Sequence, residues 1–272
     1  MPKFSAPDGT QLHYTDEGTG TPILCLSGLT RNGQDFNYMA PYFSDIRLIR
    51  MDYRGRGQSD WAAPETYTVP TETKDALALL DYLGLDKVGV IGTSRGGIIA
   101  MFMALTAKSR LMGACLVDVG PELNTTGLDA IKGYIGKNPV VQNIEDLARA
   151  RARMLHGFAN VPDSRWLEEA RLHYIATDDG LKINYDPGLA KIFAANTSAS
   201  TDSWAMFEAL EGLPIALIRA ANSDLLSSDT AAKMRQKRPD MIFADVPDRG
   251  HVPFLDEPQS ITAIRAWVET LS

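Results

Sequence analysis

The chain has 272 residues, 44% of them hydrophobic and 22% charged, which suits one large globular domain or a core carrying an insertion and excludes a disordered chain. Its 27 Lys and Arg against 34 Asp and Glu leave a formal charge of −7, so neither nucleic acid nor an anionic membrane is an expected partner. The start, Met1-Pro2-Lys3-Phe4-Ser5-Ala6-Pro7-Asp8, has no apolar signal region, and no apolar run reaches membrane-spanning length; the expected setting is the cytoplasm, as a monomer or small homo-oligomer.

In chain order, a Pro7-Asp8-Gly9 turn between Lys3-Phe4-Ser5 and Thr10–Thr15 predicts a hairpin. Pro22–Leu26 predicts a buried strand ending at Ser27-Gly28-Leu29-Thr30. The stretch Asp35–Phe43 is helix-compatible, and Ile46–Asp52 predicts the next strand, followed by the loop Tyr53–Asp60. Thr71–Leu83 carries the apolar stripe Ala76, Leu79, Leu80 and Leu83 of an amphipathic helix, closed by Gly84. Lys87–Ile91 is short and β-branched, as a strand buried on both faces would be, and Ile98–Leu105 is apolar all round, as a helix sunk in a core would be. Leu111–Val117 predicts another buried strand. Cys25 and Cys115 both lie inside such apolar runs and are expected to be reduced core thiols.

From about Glu122 to Glu211 strand-like runs give way to amphipathic helical pieces, notably Asn143–Leu155, Ser164–Ile175 and Asp202–Leu210, separated by loops such as Asp178-Asp179-Gly180. The expected organisation is therefore a core of residues 1–121 and 212–272 with an all-helical insertion at 122–211. Strand–helix alternation then resumes with strands at Pro214–Arg219 and Met241–Val246, a surface helix at Ser228–Lys237 and a last helix from Pro258. Strands alternating with helices on both flanks imply a mostly parallel sheet covered on both faces, with ligands bound beyond the carboxyl ends of the strands.

At those ends lie the residues that can do chemistry. Gly92-Thr93-Ser94-Arg95-Gly96 turns directly from strand to helix; the glycines remove Cβ atoms that would collide, and Ser94 is presented at the apex. A Ser hydroxyl needs a positioned base. Of the four histidines, His13 lies at the wrong end of the layout and His156 and His173 fall on the inserted helices; His251, after the last strand, is the expected base. The imidazole needs a carboxylate to orient it, and two qualify by position, Asp118 and Asp224. The order Ser, acid, His favours Asp224, leaving Asp118 as a strand-end hydrogen-bonding residue. The oxyanion donors are expected to be the backbone N–H groups of Arg95 and Leu29, with Gly28 allowing close approach. Asp52 is expected to brace the Tyr53–Gly57 loop. No His-Glu-x-x-His or clustered ligand spacing occurs, and no phosphate-cradling glycine motif follows the first strand, so no metal and no cofactor are expected.

Four signatures in order carry a resemblance to a known family: Leu26-Ser27-Gly28-Leu29, Asp52-Tyr53-Arg54-Gly55-Arg56-Gly57-Gln58-Ser59, Gly92–Gly97, and Asn222-Ser223-Asp224 with Gly250-His251. Over nearly its whole length the chain resembles the α/β-hydrolase superfamily of serine hydrolases, and within it small carboxylesterases and enol-lactone hydrolases. The resemblance implies an α/β fold with an eight-stranded, mostly parallel sheet, a helical cap over the site, and cleavage of a small-molecule ester or lactone through an acyl-enzyme. Carbon–carbon bond hydrolysis or perhydrolysis on the same triad, or a non-catalytic ligand-binding role, are the alternatives. Two departures stand out. Ser27 replaces a common His at the oxyanion turn, and Arg95 replaces a common apolar residue after the nucleophile, where it could hold a substrate carboxylate or be paired with a neighbouring acid. A mainly apolar pocket for a small to medium acyl group is expected under the cap, with Gly28, Phe158, Trp204 and Val252 as candidates to line it.

Overall fold

A computed structural model describes residues 2–196 and 203–271. The chain opens with strands β1 (Lys3–Ser5), β2 (Gln11–Glu17) and β3 (Thr21–Leu26), followed by two short 3-10 turns at Gly33–Asn37 and Ala40–Tyr42. Those turns replace the single helical stretch expected at Asp35–Phe43. There follow β4 (Ile46–Met51), α1 (Val69–Tyr82), β5 (Val88–Thr93), α2 (Arg95–Ala107) and β6 (Leu111–Val117). Beyond a long insertion lie β9 (Ile215–Ala220), α8 (Ser228–Lys237), β10 (Ile242–Val246) and α9 (Pro258–Val268). Among the described residues eight strands form one sheet in the order β1-β2-β4-β3-β5-β6-β9-β10. Pairing is antiparallel for β1–β2 and β2–β4 and parallel for the rest. The expected α/β fold with an eight-stranded, mostly parallel sheet is therefore what the chain adopts.

The sheet divides the core because side chains alternate along each strand. Leu24, Val90, Leu116 and Leu217 face a layer built from α1 and α2, where Leu79, Leu80, Ile99 and Met103 are sealed from solvent. Their sequence neighbours Ile23, Ile91, Cys115 and Ile218 face the other layer, against Phe36, Ile264 and Trp267. Both faces being covered explains why these strands read as continuous apolar runs.

The insertion runs between β6 and β9, which are themselves hydrogen-bonded neighbours (Val117 opposite Ile218). It contains α3 (Thr125–Tyr134), α4 (Ile144–Met154), α5 (Asp163–His173), the strands β7 (Tyr174–Thr177) and β8 (Gly180–Ile183), α6 (Leu189–Asn196) and α7 (Ser203–Glu208). Two features differ from the expected all-helical unit at 122–211. β7 and β8 form an antiparallel hairpin around the Asp178-Asp179 turn. And α7 packs on α2, with Met206, Phe207 and Leu210 buried in the main core cluster, so this last helix is part of the core layer rather than of the insertion's own clusters. Asp202, expected to open that helix, lies outside the described residues.

Candidate active site

The turn after β5 folds as its glycines require. Ser94 sits at φ 50°, in the left-handed region that is costly for a residue with a Cβ. A Cβ on Gly96 would collide with the Leu26 carbonyl, and one on Gly92 with the Gly96 carbonyl, so helix α2 can start this close to the sheet only with glycine at both. Backbone bonds lock the turn: Ser94 N–H donates to Val117 O (2.9 Å) and Gly96 N–H to Ser27 O (3.1 Å).

His251 follows β10 and reaches back to this apex. Its Nε2 lies 3.0 Å from Ser94 Oγ, and its Nδ1 lies 2.7 Å from Asp118 Oδ2. The arrangement is one continuous hydrogen-bonded chain from hydroxyl to imidazole to carboxylate, with the Asp118 side chain fully buried and that of His251 17% exposed. The partner of His251 is thus Asp118 at the tip of β6, not Asp224. Asp118 has φ 52°, which turns its side chain across the tip of β9. There Oδ1 accepts from Ala220 N–H (2.9 Å) and Oδ2 from the Ser223 hydroxyl (2.7 Å). The β9 loop therefore contributes a hydroxyl that buttresses the carboxylate. Asp224 instead faces α3: its backbone carbonyl accepts from Gly127 N–H (3.1 Å), and its carboxylate takes no hydrogen bond among the described residues. The signal that points to Asp118 in the sequence is its place one residue beyond a wholly apolar strand, where a carboxylate is buried and must find donors.

The two expected oxyanion donors belong to segments that meet beside Ser94. Arg95 is the first residue of α2, and the Ser27-Gly28 turn is stitched to that helix by the Gly96–Ser27 bond. A Cβ built on Gly28 would stand 3.9 Å from Ser94 Cβ, so the turn passes directly beside the nucleophile's position. Neither Leu29 N–H nor Arg95 N–H donates elsewhere among the described residues. At the start of a helix such free N–H groups favour negative charge.

The Arg95 side chain turns away from this space. Its Nε donates to Glu72 Oε2 (2.7 Å) and its Nη2 to Tyr67 O (3.1 Å). Glu72, on α1 and fully buried, also pairs with Arg56 Nη1 (2.8 Å). Arg56 in turn donates from Nε to Leu29 O (3.0 Å) and lies over the rings of Tyr53 and Tyr67. Burial, then the neighbouring Asp186 carboxylate 2.6 Å from its hydroxyl, push the Tyr67 phenol up to about 12. Tyr53 Oη donates to Ser27 O (3.2 Å), and Asp52 accepts from Gly33 N–H (2.7 Å) and Gln58 N–H (2.9 Å). These contacts hold the Ser27–Leu29 turn from beneath.

The expected pocket residues separate. Val252, next to His251, lines a small cavity together with Thr93, Phe36, Phe254, Arg31, Asp35, Tyr38 and Glu169, with room for little more than a water molecule. Phe158 packs edge-on against Trp166 and tilted on Phe254, beside Gly250. Trp204 is elsewhere: on α7 its Nε1 donates to Glu122 (2.9 Å) and Lys237 lies over its ring, because the apolar face of α7 is directed into the core under α2. Besides Phe36, Val252, Pro253, Phe254 and Leu255, the cavity beside the site carries charged side chains. Asp35 and Arg31 of the core meet Glu169 and His173 of α5 there, a cluster that the isolated positions of these residues in sequence do not reveal.

The alpha/beta hydrolase family model matches residues 23–264. The chain belongs to the alpha/beta hydrolase family. A 3-hydroxybutyrate-oligomer hydrolase of Cupriavidus necator is 34% identical to it over 91% of this chain and 88% of that protein. A 2-(acetamidomethylene)succinate hydrolase of Mesorhizobium japonicum is 26% identical over 88% of this chain and 84% of its own. Among solved structures, an alpha/beta hydrolase from Novosphingobium aromaticivorans superposes with a TM-score of 0.92 at 36% identity, covering 99% of this chain and 97% of that one. Ser94, Asp118 and His251 all lie just beyond the carboxyl ends of strands, the side on which open α/β sheets bind ligands. No helix among the described residues is long and apolar enough to cross a membrane.

Proposed function

We propose that this alpha/beta hydrolase cleaves a carboxylic ester of a small molecule through an acyl-enzyme, using no cofactor. The observation that carries the reading is the continuous Ser94–His251–Asp118 hydrogen-bonded chain at 3.0 and 2.7 Å. His251 Nε2 takes the Ser94 proton as Oγ bonds to the ester carbonyl carbon. The oxygen that gains the negative charge is held by the N–H groups of Leu29 and Arg95. Collapse of the tetrahedral adduct breaks the carbon–alkoxy bond, and His251 returns the proton to the departing alkoxide. Water then attacks the acyl-enzyme, giving its proton to His251, and the carboxylic acid leaves as Ser94 recovers its hydrogen. Asp118 keeps the Nδ1 proton of His251 in place and stabilises the imidazolium in both halves of the reaction.

The similarity to a 3-hydroxybutyrate-oligomer hydrolase supports esters of small hydroxy acids as the first substrates to try. The test is turnover of linear 3-hydroxybutyrate dimer and trimer, 4-nitrophenyl esters and a lactone panel by wild type and Ser94→Ala, with fluorophosphonate labelling of the wild type. Expected are labelling at Ser94, ester hydrolysis, and loss of both in the variant. Unchanged kcat in Ser94→Ala, or resistance of Ser94 to the probe, overturns the reading.

A further inference from the structure

We infer that Arg31 is the specificity residue of this site and that it selects substrates bearing a free carboxylate beside the scissile ester, an inference that rests on the ester-hydrolase reading above. Arg31 N–H donates to Gly28 O (3.2 Å), closing a tight turn that folds its side chain back along the oxyanion loop. The Cβ position of Gly28 lies 3.6 Å from Arg31 Cγ and 3.8 Å from its Cδ, and 3.9 Å from Ser94 Cβ. The arginine stem and the nucleophile thus border the same glycine.

The guanidinium is half committed. Nη1 donates to Glu169 Oε2 (3.0 Å) and lies 3.5 Å from Asp35 Oδ2. His173 Nε2 is 2.6 Å from Asp35 Oδ1 and so carries the proton of that bond; its 3.2 Å approach to Arg31 Nη1 is a contact between two donors. Nε and Nη2 of Arg31 have no acceptor among the described residues, and the side chain keeps 22% exposure. Those two nitrogens form the planar edge that binds a carboxylate through two parallel hydrogen bonds. One edge is therefore fixed by Glu169 and the other is presented, which is how an anion-binding arginine is preorganised.

The fixed charges around Arg31 are balanced. Asp35 and Glu169 are matched by Arg31 and Arg151, whose Nη2 lies 3.9 Å from Glu169 Oε2, and His173 stands between both carboxylates. Three other guanidinium groups near the site are engaged: Arg95 on Glu72, Arg165 on Asp256, and Arg249 on Glu257.

The experiment compares the linear 3-hydroxybutyrate dimer as free acid with the same dimer ending in a carboxamide, following cleavage of the one ester bond by product chromatography. Wild type is expected to favour the acid in kcat/KM by about 10- to 100-fold, the range of a charge-assisted pair. In Arg31→Gln that ratio should fall to about one, and in Arg31→Lys recover in part, since a point charge restores attraction without the fork. A wild-type ratio near one, or a ratio retained in Arg31→Gln, overturns the assignment. A second measurement needs no variant: 3-hydroxybutyrate should inhibit 4-nitrophenyl butyrate hydrolysis competitively, and 3-hydroxybutyramide should do so at least tenfold more weakly; equal inhibition counts against Arg31. Hydrolysis of the carboxamide with no preference for the acid removes this inference alone, whereas an enzyme that neither cleaves any ester nor is labelled at Ser94 removes the ester-hydrolase reading with it.

Discussion

The carboxylate of Asp118 lies 2.7 Å from Nδ1 of His251, reached across the tip of the neighbouring strand β9. This contact puts the carboxylate partner of His251 just beyond β6. Asp118→Asn is expected to keep the geometry but lower kcat by about 10³- to 10⁴-fold, because the amide favours the wrong imidazole tautomer. Asp224→Asn should leave kcat within about threefold of wild type. Steady-state rates on 4-nitrophenyl butyrate decide between them, and the reverse pattern would return the role to Asp224.

Glu72 is fully buried between two guanidinium groups, those of Arg56 and Arg95. Glu72→Ala would leave two like charges facing each other with no counter-ion. Removing one partner of a buried pair costs about 3–5 kcal/mol, which for a domain of this size lowers Tm by roughly 10 °C. Thermal unfolding by circular dichroism measures it. A shift under about 3 °C would show that water or a rearranged Arg56 replaces the carboxylate.

Asp35 ties the Gly33–Asn37 turn to α5. Burial pushes its carboxyl up, but Arg31, then His173 and Arg151, outweigh burial and hold it below the usual carboxylate range. A group lowered in the folded state adds stability that is fully present above its unfolded pKa, about 3.9, and is lost as pH falls through the folded value. The Tm difference between wild type and Asp35→Asn should therefore be constant from pH 7 to about 5 and shrink below about 4. A difference independent of pH down to 2.5 would show that the aspartate's charge is not what stabilises the junction.

Cys25 and Cys115 flank Ile91 on strands β3, β5 and β6. Two strand spacings separate them by about 9–10 Å, beyond the roughly 7 Å limit for a disulfide. Burial pushes both thiols well above their ordinary value. Native protein should show no fast reaction with a chromogenic disulfide reagent, and two thiols should appear on unfolding in guanidinium chloride. Rapid labelling of the native protein would contradict this burial.

The parts of the fold that were legible in sequence are those where one physical requirement dominates. Gly92, Gly96 and the apolar runs around them specify a strand–turn–helix whatever the rest of the chain does, and a base for Ser94 had to come from four histidines. The acid was harder to read because β6 and β9 are adjacent, so Asp118 and Asp224 both sit near one tip and chain order cannot say which carboxylate is turned inward. The β7–β8 hairpin escaped because β7 spans four residues that are mostly exposed, too few to show an alternating face. Trp204 and its neighbours on α7 have the spacing of any amphipathic helix, and spacing does not tell which layer the apolar side meets. The cluster of Arg31, Asp35, Glu169 and His173 joins residues 138 and 142 positions apart in the chain, and only the fold brings them together.

Placing the acid on β6 changes how the triad is distributed along the polypeptide. Ser94 and Asp118 belong to one uninterrupted β–α–β unit, from Val88 at the start of β5 to the residue after β6. The Ser94 N–H bond to Val117 O lies within that unit, whereas the donors that hold the carboxylate, Ala220 N–H and the Ser223 hydroxyl, arrive with His251 from the far part of the chain. The long excursion between β6 and β9 separates these two contributions. A chain cut within it would yield two fragments, one carrying Ser94 and Asp118 and the other His251 with the Ala220 and Ser223 donors, joined by the β6–β9 ladder, so recovery of activity on mixing would report strand pairing between the halves.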